Sequence, residues 1–196
     1  MNNTLNAIAA LVNEFTKLPG VGQKTAQRYA YKVIDMSPSE AETFVAAIKT
    51  VKQKVKYCSV CGNFTDVMPC ANCSSVANIL CVVAWPKDVL TAQRIKGLKA
   101  SYHVLHGTIS PLDGRTPDDI KLKELVKRLG DGSVQEVVLA LNPDVEGETT
   151  GLYIARLLKP LDVKVSRLAQ GISMGSDLEY ADELTLTEAF NNRRTL

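Results

Sequence analysis

Residues 58–73 read Cys58-Ser59-Val60-Cys61-Gly62-Asn63-Phe64-Thr65-Asp66-Val67-Met68-Pro69-Cys70-Ala71-Asn72-Cys73, two Cys-x2-Cys pairs separated by eight residues. A Cys-x2-Cys turn brings two thiolates onto one ion, and a second such turn completes the tetrahedral four-sulfur shell that zinc prefers. Cys58, Cys61, Cys70 and Cys73 are therefore read as the ligands of one structural Zn2+ per chain. All four positions are then filled, so none is left for a reacting water. Gly62-Asn63 and Ser74-Ser75, following the two pairs, suit a backbone that turns its N–H groups back toward sulfur. The other readings are disulfides or unpaired core thiols. The regular spacing and the lack of any sign of an oxidising compartment weigh against both. A fifth cysteine, Cys81, lies in the apolar run Ile79-Leu80-Cys81-Val82-Val83-Ala84 and reads as a small buried residue.

The cysteine array divides the chain into two kinds of pattern. Upstream, Leu5, Ile8, Leu11, Val12 and Phe15 recur at helical spacing, which predicts a helix over residues 4–17 with Thr4 as its cap. Leu18-Pro19-Gly20-Val21-Gly22 interrupts it. Helical pattern resumes from Gln23 to Ile34 and again from Ser39 or Glu40 to about Lys54. Downstream, β-branched runs alternate with helical ones, the signature of a parallel α/β sheet. Strands are expected at Ile79–Ala84, Tyr102–Leu105, Glu136–Leu141 and Val163–Leu168. Helices are expected at Pro86–Lys96, Pro117–Leu129 and Glu148–Leu158. The middle helix has Thr116 as cap, Pro117 in its first turn, and Asp118 and Asp119 near the positive end of the dipole. The resulting fold class is α/β in several modules, with boundaries at 1–56, 57–78, 79–170 and 171–196.

The chain of 196 residues is 45% hydrophobic and 22% charged, an ordinary soluble composition. No segment approaches the length of a membrane span, and the N-terminus, with Asn2, Asn3 and Glu14, does not resemble a secretory leader. With metal-type cysteine spacing, a cytoplasmic location is expected. Formal charge is only +2, but residues 1–57 hold eight Lys/Arg against four Asp/Glu, and residues 171–196 hold two against five. A basic start suits an anionic partner, and an acidic end suits subunit or protein contacts.

In Leu18-Pro19-Gly20-Val21-Gly22-Gln23-Lys24-Thr25-Ala26-Gln27-Arg28, Gly20 and Gly22 let a turn approach a ligand closely, just before a helix whose first N–H groups favour an anion. Lys24 and Arg28 stand four apart on one face and can flank the same phosphate backbone. The segment resembles the helix-hairpin-helix motif, with Ala26 as its small residue. Its bland alternative is an αα-corner with ordinary surface charges. Backbone contacts of this kind predict little sequence preference.

After the strand that begins at Glu136 comes Asn142-Pro143-Asp144-Val145-Glu146-Gly147-Glu148, with carboxylates at the carboxyl end of a parallel strand, where open α/β sheets place their sites. Asp144 and Glu146 are two apart, suited to sharing a divalent metal; the equal alternative is a solvated loop that caps the next helix. Asp-x-Glu-Gly before a helix resembles the acidic motif of Toprim domains. Toprim enzymes also carry a glutamate after their first strand, and Ala84 stands there, which argues against phosphodiester chemistry. His103 and His106 bracket a short strand and read as structural. Trp85 and Pro86 shape the first strand-to-helix turn.

Helix-hairpin-helix, four-cysteine module and Toprim-like domain, in that order, resemble the RecR recombination mediator family. Leu18-Pro19-Gly20, the cysteine quartet, His106-Gly107-Thr108-Ile109-Ser110-Pro111-Leu112-Asp113-Gly114, Asn142 to Glu148, and Gly175-Ser176-Asp177-Leu178-Glu179-Tyr180-Ala181-Asp182 carry the likeness. Where the family has Gly-x-Pro-x-Gly-Gly, this chain has Gly171-Ile172-Ser173-Met174-Gly175-Ser176, and its link from Cys73 to the first Toprim strand is short. The resemblance implies a non-catalytic DNA-repair protein that binds single- and double-stranded DNA and forms a dimer or tetrameric ring. It also implies action with RecO or RecF to promote RecA loading. In those terms Gly20, Gly22, Lys24 and Arg28 contact DNA, Asp144 and Glu146 bear on a partner, and residues 177–196 pack on the Toprim domain or a neighbouring subunit. The alternatives are a metal-dependent Toprim enzyme and a zinc-ribbon RNA adaptor.

Overall fold

The computed structural model describes residues 5–73, 77–130 and 132–195; the expected Thr4 cap and the short link after Cys73 fall outside them. The chain forms two compact units divided between Val55 and Lys56. In the first, helices α1 (Asn6–Thr16) and α2 (Gln23–Ile34) pack against each other as a helical hairpin. Ala26 and Ala30 have no side chain beyond Cβ, so α2 comes close to α1 and seals Val12 between them, with Ile8, Leu11, Phe15 and Val21 around the contact. Gly20 takes φ +75° in the turn, a conformation that L side chains resist. The third helix, α3 (Pro38–Lys54), starts earlier than expected because Ser37 and Glu40 form a capping box. The Ser37 N–H donates to Glu40 Oε2 at 2.8 Å, and the Glu40 N–H donates to Ser37 Oγ at 3.3 Å. Pro38 then fits the first helical position, where a missing N–H costs nothing.

The second unit opens with the short antiparallel pair β1 (Lys56–Tyr57) and β2 (Phe64–Thr65). It continues as a four-stranded parallel sheet of order β4-β3-β5-β6, formed by β3 (Ile79–Val83), β4 (Ser101–Val104), β5 (Glu136–Leu139) and β6 (Lys164–Arg167). Side chains alternate along β3, so Cys81 and Val83 enter a core with Val89 and Val104, whereas Leu80 and Val82 enter one with Leu125, Ile154 and Leu158. Helix α4 (Pro86–Ala92) covers the first face; α5 (Leu122–Leu129) and α6 (Val145–Leu158) cover the second. Cys81 is fully buried, and burial pushes its thiol up to about 11. A last helix, α7 (Glu183–Asn191), buries none of its residues.

Three expected helices change at their ends. The helix from Pro86 stops at Ala92 because the Arg94 and Ile95 N–H groups tighten onto the carbonyls of Thr91 and Ala92, at 3.1 Å each, before Gly97 turns the chain at φ +85°. The helix expected from Pro117 to Leu129 is broken. A short 3-10 turn over Pro117–Asp119 gives way at Ile120, which is extended and buried, and the Lys121 N–H then donates to Leu105 O at 2.8 Å. Thr116 is the N-cap of that turn, and its N–H and hydroxyl both donate to Asp119 Oδ2, at 2.7 and 2.8 Å. The helix expected from Glu148 begins three residues sooner, at Val145. Among the described residues, no helix is long and apolar enough to cross a membrane.

His103 is fully buried in β4, and its Nε2 lies 2.9 Å from the carbonyl of Lys121. A carbonyl accepts, so the proton sits on Nε2 and Nδ1 is bare; Nδ1 has no partner among the described residues. Burial holds this imidazole down to about 4, against an ordinary value of about 6.5. As pH falls, the unfolded chain takes up this proton first, so the stabilisation is complete above pH ~6.5 and is lost on the way down to about 4. The displacement corresponds to about 3 kcal/mol at ~1.4 kcal/mol per pH unit. His103→Gln keeps an N–H donor for Lys121 and is expected to flatten the fall in urea midpoint across that window. An equally steep fall in the variant would remove His103 as the cause.

Candidate zinc centre and nucleic-acid interface

The four cysteines converge as the spacing predicts. Their sulfurs all lie within 4.8 Å of one another, with Cys58–Cys73 at 3.9 Å, Cys61–Cys70 at 3.4 Å and Cys70–Cys73 at 3.5 Å. Zn–S bonds of about 2.3 Å in a tetrahedron require sulfurs roughly 3.8 Å apart, whereas a disulfide requires about 2.05 Å. The cluster fits zinc and not a disulfide. Its electrostatics lead to the same cation. The Cys61 thiol is held down to about 5, first by its hydrogen bond from the Cys73 thiol, then by the Asn63 N–H, against the opposing effect of burial. Cys73 is pushed up, chiefly by that same bond to Cys61, and Cys70 is pushed up by burial and then by Cys61. One thiolate thus raises its neighbours, and only a bound cation lets all four ionise together.

The first knuckle is closed by Gly62 N–H donating to Cys58 O at 2.9 Å and Cys58 N–H donating to Asn63 O at 2.8 Å. It docks on the outer edge of the sheet at β4, where the Val104 N–H donates to Cys61 O at 2.8 Å. Gly62 takes φ +74°, and a Cβ there would lie 2.9 Å from Val104 O and 3.0 Å from His106 Nε2. His106 Nε2 meets Gly62 O at 2.8 Å, while Tyr57 sets its ring edge-on to the imidazole with centroids 4.4 Å apart. His106 itself adopts φ +63°. Both histidines are structural, and His106 holds the zinc module to the sheet. Sequence reading missed this link because its partners are far apart in the chain.

At the carboxyl end of β5, Asp144 is the N-cap of α6: its Oδ1 accepts from the Gly147 N–H at 2.7 Å. Glu146 lies in the first turn of the same helix. Glu148, which the sequence left without a role, pairs with Arg167 at 2.5 Å and accepts from Gln170 at 2.9 Å. Thr150, fully buried, accepts the Ile109 N–H at 2.8 Å and donates to Glu146 O at 2.6 Å. The loop after β4 is thereby fastened to α6. Ala84 follows β3 directly as a buried methyl group, and its carbonyl accepts the Gly107 N–H at 3.1 Å. Among the described residues, the cysteines are the only group of three or more His, Cys, Asp or Glu side chains close enough to hold a metal.

On the hairpin, Gly22 is the extended N-cap of α2, and a Cβ built there would meet nothing within 4 Å. The space beside the first N–H groups of α2 is therefore open. Lys24 and Arg28 are exposed on the face opposite the buried Ala26 and Ala30. That face forms a shallow cleft of about 460 Å3 lined also by Gln27, Tyr31, Lys32 and Asp35. The spacing of four that pairs Lys24 with Arg28 extends to Lys32, a signal present in the sequence and passed over.

A helix-hairpin-helix, a four-cysteine zinc module and a parallel α/β domain of Toprim type define a zinc-containing DNA-binding protein. Family models match in the same succession: the RecR helix-hairpin-helix over residues 8–52, the RecR four-cysteine zinc finger domain over 55–75, the Toprim domain over 78–169 and the RecR C-terminal region over 171–194. "Recombination protein RecR" from each of two strains of Clostridium perfringens is 51% identical over 193 residues, 97% of both chains. The chain belongs to the RecR family of recombination proteins. Its zinc is structural, and its role lies in DNA recombination and repair.

Proposed function

We propose that this protein is a non-catalytic mediator of recombinational repair that grips DNA with its α1–α2 hairpin and, with a RecO- or RecF-type partner, promotes RecA loading on single strands. The observation that carries the reading is the open start of α2: an unobstructed Gly22, the first N–H groups of a helix, and Lys24 and Arg28 aligned beside them. Anions suit such a terminus. The domains at 1–56, 57–78, 79–170 and 171–196 divide the work into DNA grip, zinc-fixed spacer, partner surface and assembly segment.

Assembly into a dimer or tetrameric ring is supported by apolar surface that the monomer leaves uncovered. Phe44, Ile48, Val51 and Val55 repeat along α3 and its C-terminal cap and are all exposed, as are Leu184 and Phe190 on α7. Isolated exposed apolar residues are ordinary, but aligned ones mark interfaces. Repeating the hairpin around a closed ring multiplies weak contacts through effective concentration. Asp144 and Glu146 take the partner role in this scheme: Ala84 leaves them without the acid that Toprim enzymes use, and the cap on the Gly147 N–H engages only Asp144 Oδ1.

The test is the rate of RecA filament formation on strands coated with single-strand-binding protein, with a RecO-type partner present. The wild-type protein is expected to speed loading without cutting or joining DNA in Mg2+. Lys24→Ala combined with Arg28→Ala should abolish the acceleration and reduce the salt slope of duplex binding by about 1.8, at ~0.9 for each phosphate left unneutralised. Unchanged loading and slope would reduce the hairpin to a structural corner.

A further inference from the structure

The face of α2 that carries Lys24 and Arg28 continues for two more turns, and its chemistry changes along the way. Lys24, Arg28 and Lys32 succeed one another at intervals of four residues, about 6 Å apart along the axis at 1.5 Å per residue. Tyr31 stands between the last two and projects into the same cleft, 55% exposed. Its neighbour Tyr29 is engaged otherwise. Tyr29 packs edge-on against Phe15 with centroids 5.6 Å apart, and the Arg28 guanidinium lies 5.9 Å from its ring. Tyr29 belongs to the hairpin's own packing, whereas Tyr31 presents a ring to solvent amid cations. A duplex meets such a face with phosphates only, because its bases are stacked inside. A single strand offers phosphates and unstacked bases together.

We propose that this α2 face is a single-strand site in which Lys24, Arg28 and Lys32 follow successive phosphates and Tyr31 stacks on an extruded base. The proposal rests on the hairpin being the DNA grip and adds two residues and a preferred ligand to it. Stacking on an aromatic ring tolerates any base, so the site selects strandedness and not sequence. Asp35, the acid that lines the cleft, closes its end. A carboxylate repels phosphate, so the strand leaves the helix there.

The experiment measures anisotropy of labelled oligonucleotides of equal length, single-stranded, duplex and abasic single-stranded, with the full chain. Tyr31→Ala is expected to weaken the single strand about ten-fold, within the range that removal of one stacking partner produces, and to leave duplex and abasic strand unchanged. Tyr31→Phe should bind as wild type, since stacking needs the ring and not the hydroxyl. Lys32→Ala should weaken all three ligands and flatten the single-strand salt slope by about 0.7. Equal losses on single strand and duplex for Tyr31→Ala, or no loss on either, would overturn the proposal. If Lys24→Ala with Arg28→Ala still removes binding in that case, the hairpin grip stands and only the single-strand site falls. If that double variant also binds normally, both fall.

Discussion

Cys70→Ser is expected to abolish stoichiometric zinc and to unfold the knuckle while leaving the parallel sheet in place. Structural zinc contributes about 10–16 kcal/mol in isolated fingers, comparable to the ~5–15 kcal/mol that holds a whole domain. Among the described residues, the buried cluster of this module consists of the four cysteines, which leaves it little apolar core to fall back on. The sheet, by contrast, is held by Leu80, Val82, Leu125, Val137 and Ile154, none of which belongs to the knuckle. Loss of the metal therefore acts locally. Hydrogen exchange should show protection lost at the N–H groups of Val104 and Gly62, whose acceptors are Cys61 O and Cys58 O, and retained at Ala140, whose acceptor is Val82 O. Metal analysis should give one zinc per wild-type chain and none in the variant. Acidification should release the metal from the wild type as well, because protons compete for the thiolates. Full zinc content in the variant would show that Cys70 is not a required ligand, and an undiminished Val104 amide in the zinc-free variant would show that the knuckle is held by something other than its metal.

What was legible beforehand follows from how local each cause is. The zinc ligands sit within sixteen residues and obey a fixed spacing, so four side chains are enough to announce them. The strands are equally plain, because Ile79 to Val83 and Glu136 to Leu139 are short runs rich in Ile and Val whose identity does not depend on neighbours. Helix starts were partly misread where the signal was nonetheless local. Ser37-Pro38-Ser39-Glu40 is a capping box with proline at the first helical position, and it marks α3 correctly. The break at Ile120 is of another kind. Nothing between Pro117 and Leu129 forbids a helix; the chain opens because Ile120 enters the core and Lys121 bonds to Leu105 across the fold. The contact of His106 with Gly62 is non-local in the same sense, spanning 44 residues. A sequence pattern cannot report a bond whose partner it has no means to place.

The acidic loop shows how one residue decides between the readings left open for Asp144. Gly147→Ala replaces glycine within the first turn of α6, and helix propensity alone would make this stabilising by about 1 kcal/mol. Sterics point the other way. A Cβ at 147 would lie 2.0 Å from the carbonyl oxygen of Asn142 and 3.0 Å from Asp144 Oδ1. The first contact is with backbone, and no rotamer relieves it, so residues 142–144 must move away from the helix. That movement breaks the Asp144 cap on the Gly147 N–H, worth about 1 kcal/mol, and adds an overpacking cost of roughly 1–3 kcal/mol. The clash and the lost cap together outweigh the propensity gain, and the variant is expected to be destabilised by about 2 kcal/mol, read as a lower urea midpoint at unchanged slope. Asp144→Asn offers the control, because its side-chain oxygen still accepts the Gly147 N–H and it should lose far less. Glycine is thus present so that the loop can fold over the helix start, which holds Asp144 as a cap and fixes the direction in which Glu146 leaves the first turn. A Gly147→Ala protein as stable as wild type would mean that the loop is free to shift, and that the placement of the two carboxylates is not set by this contact.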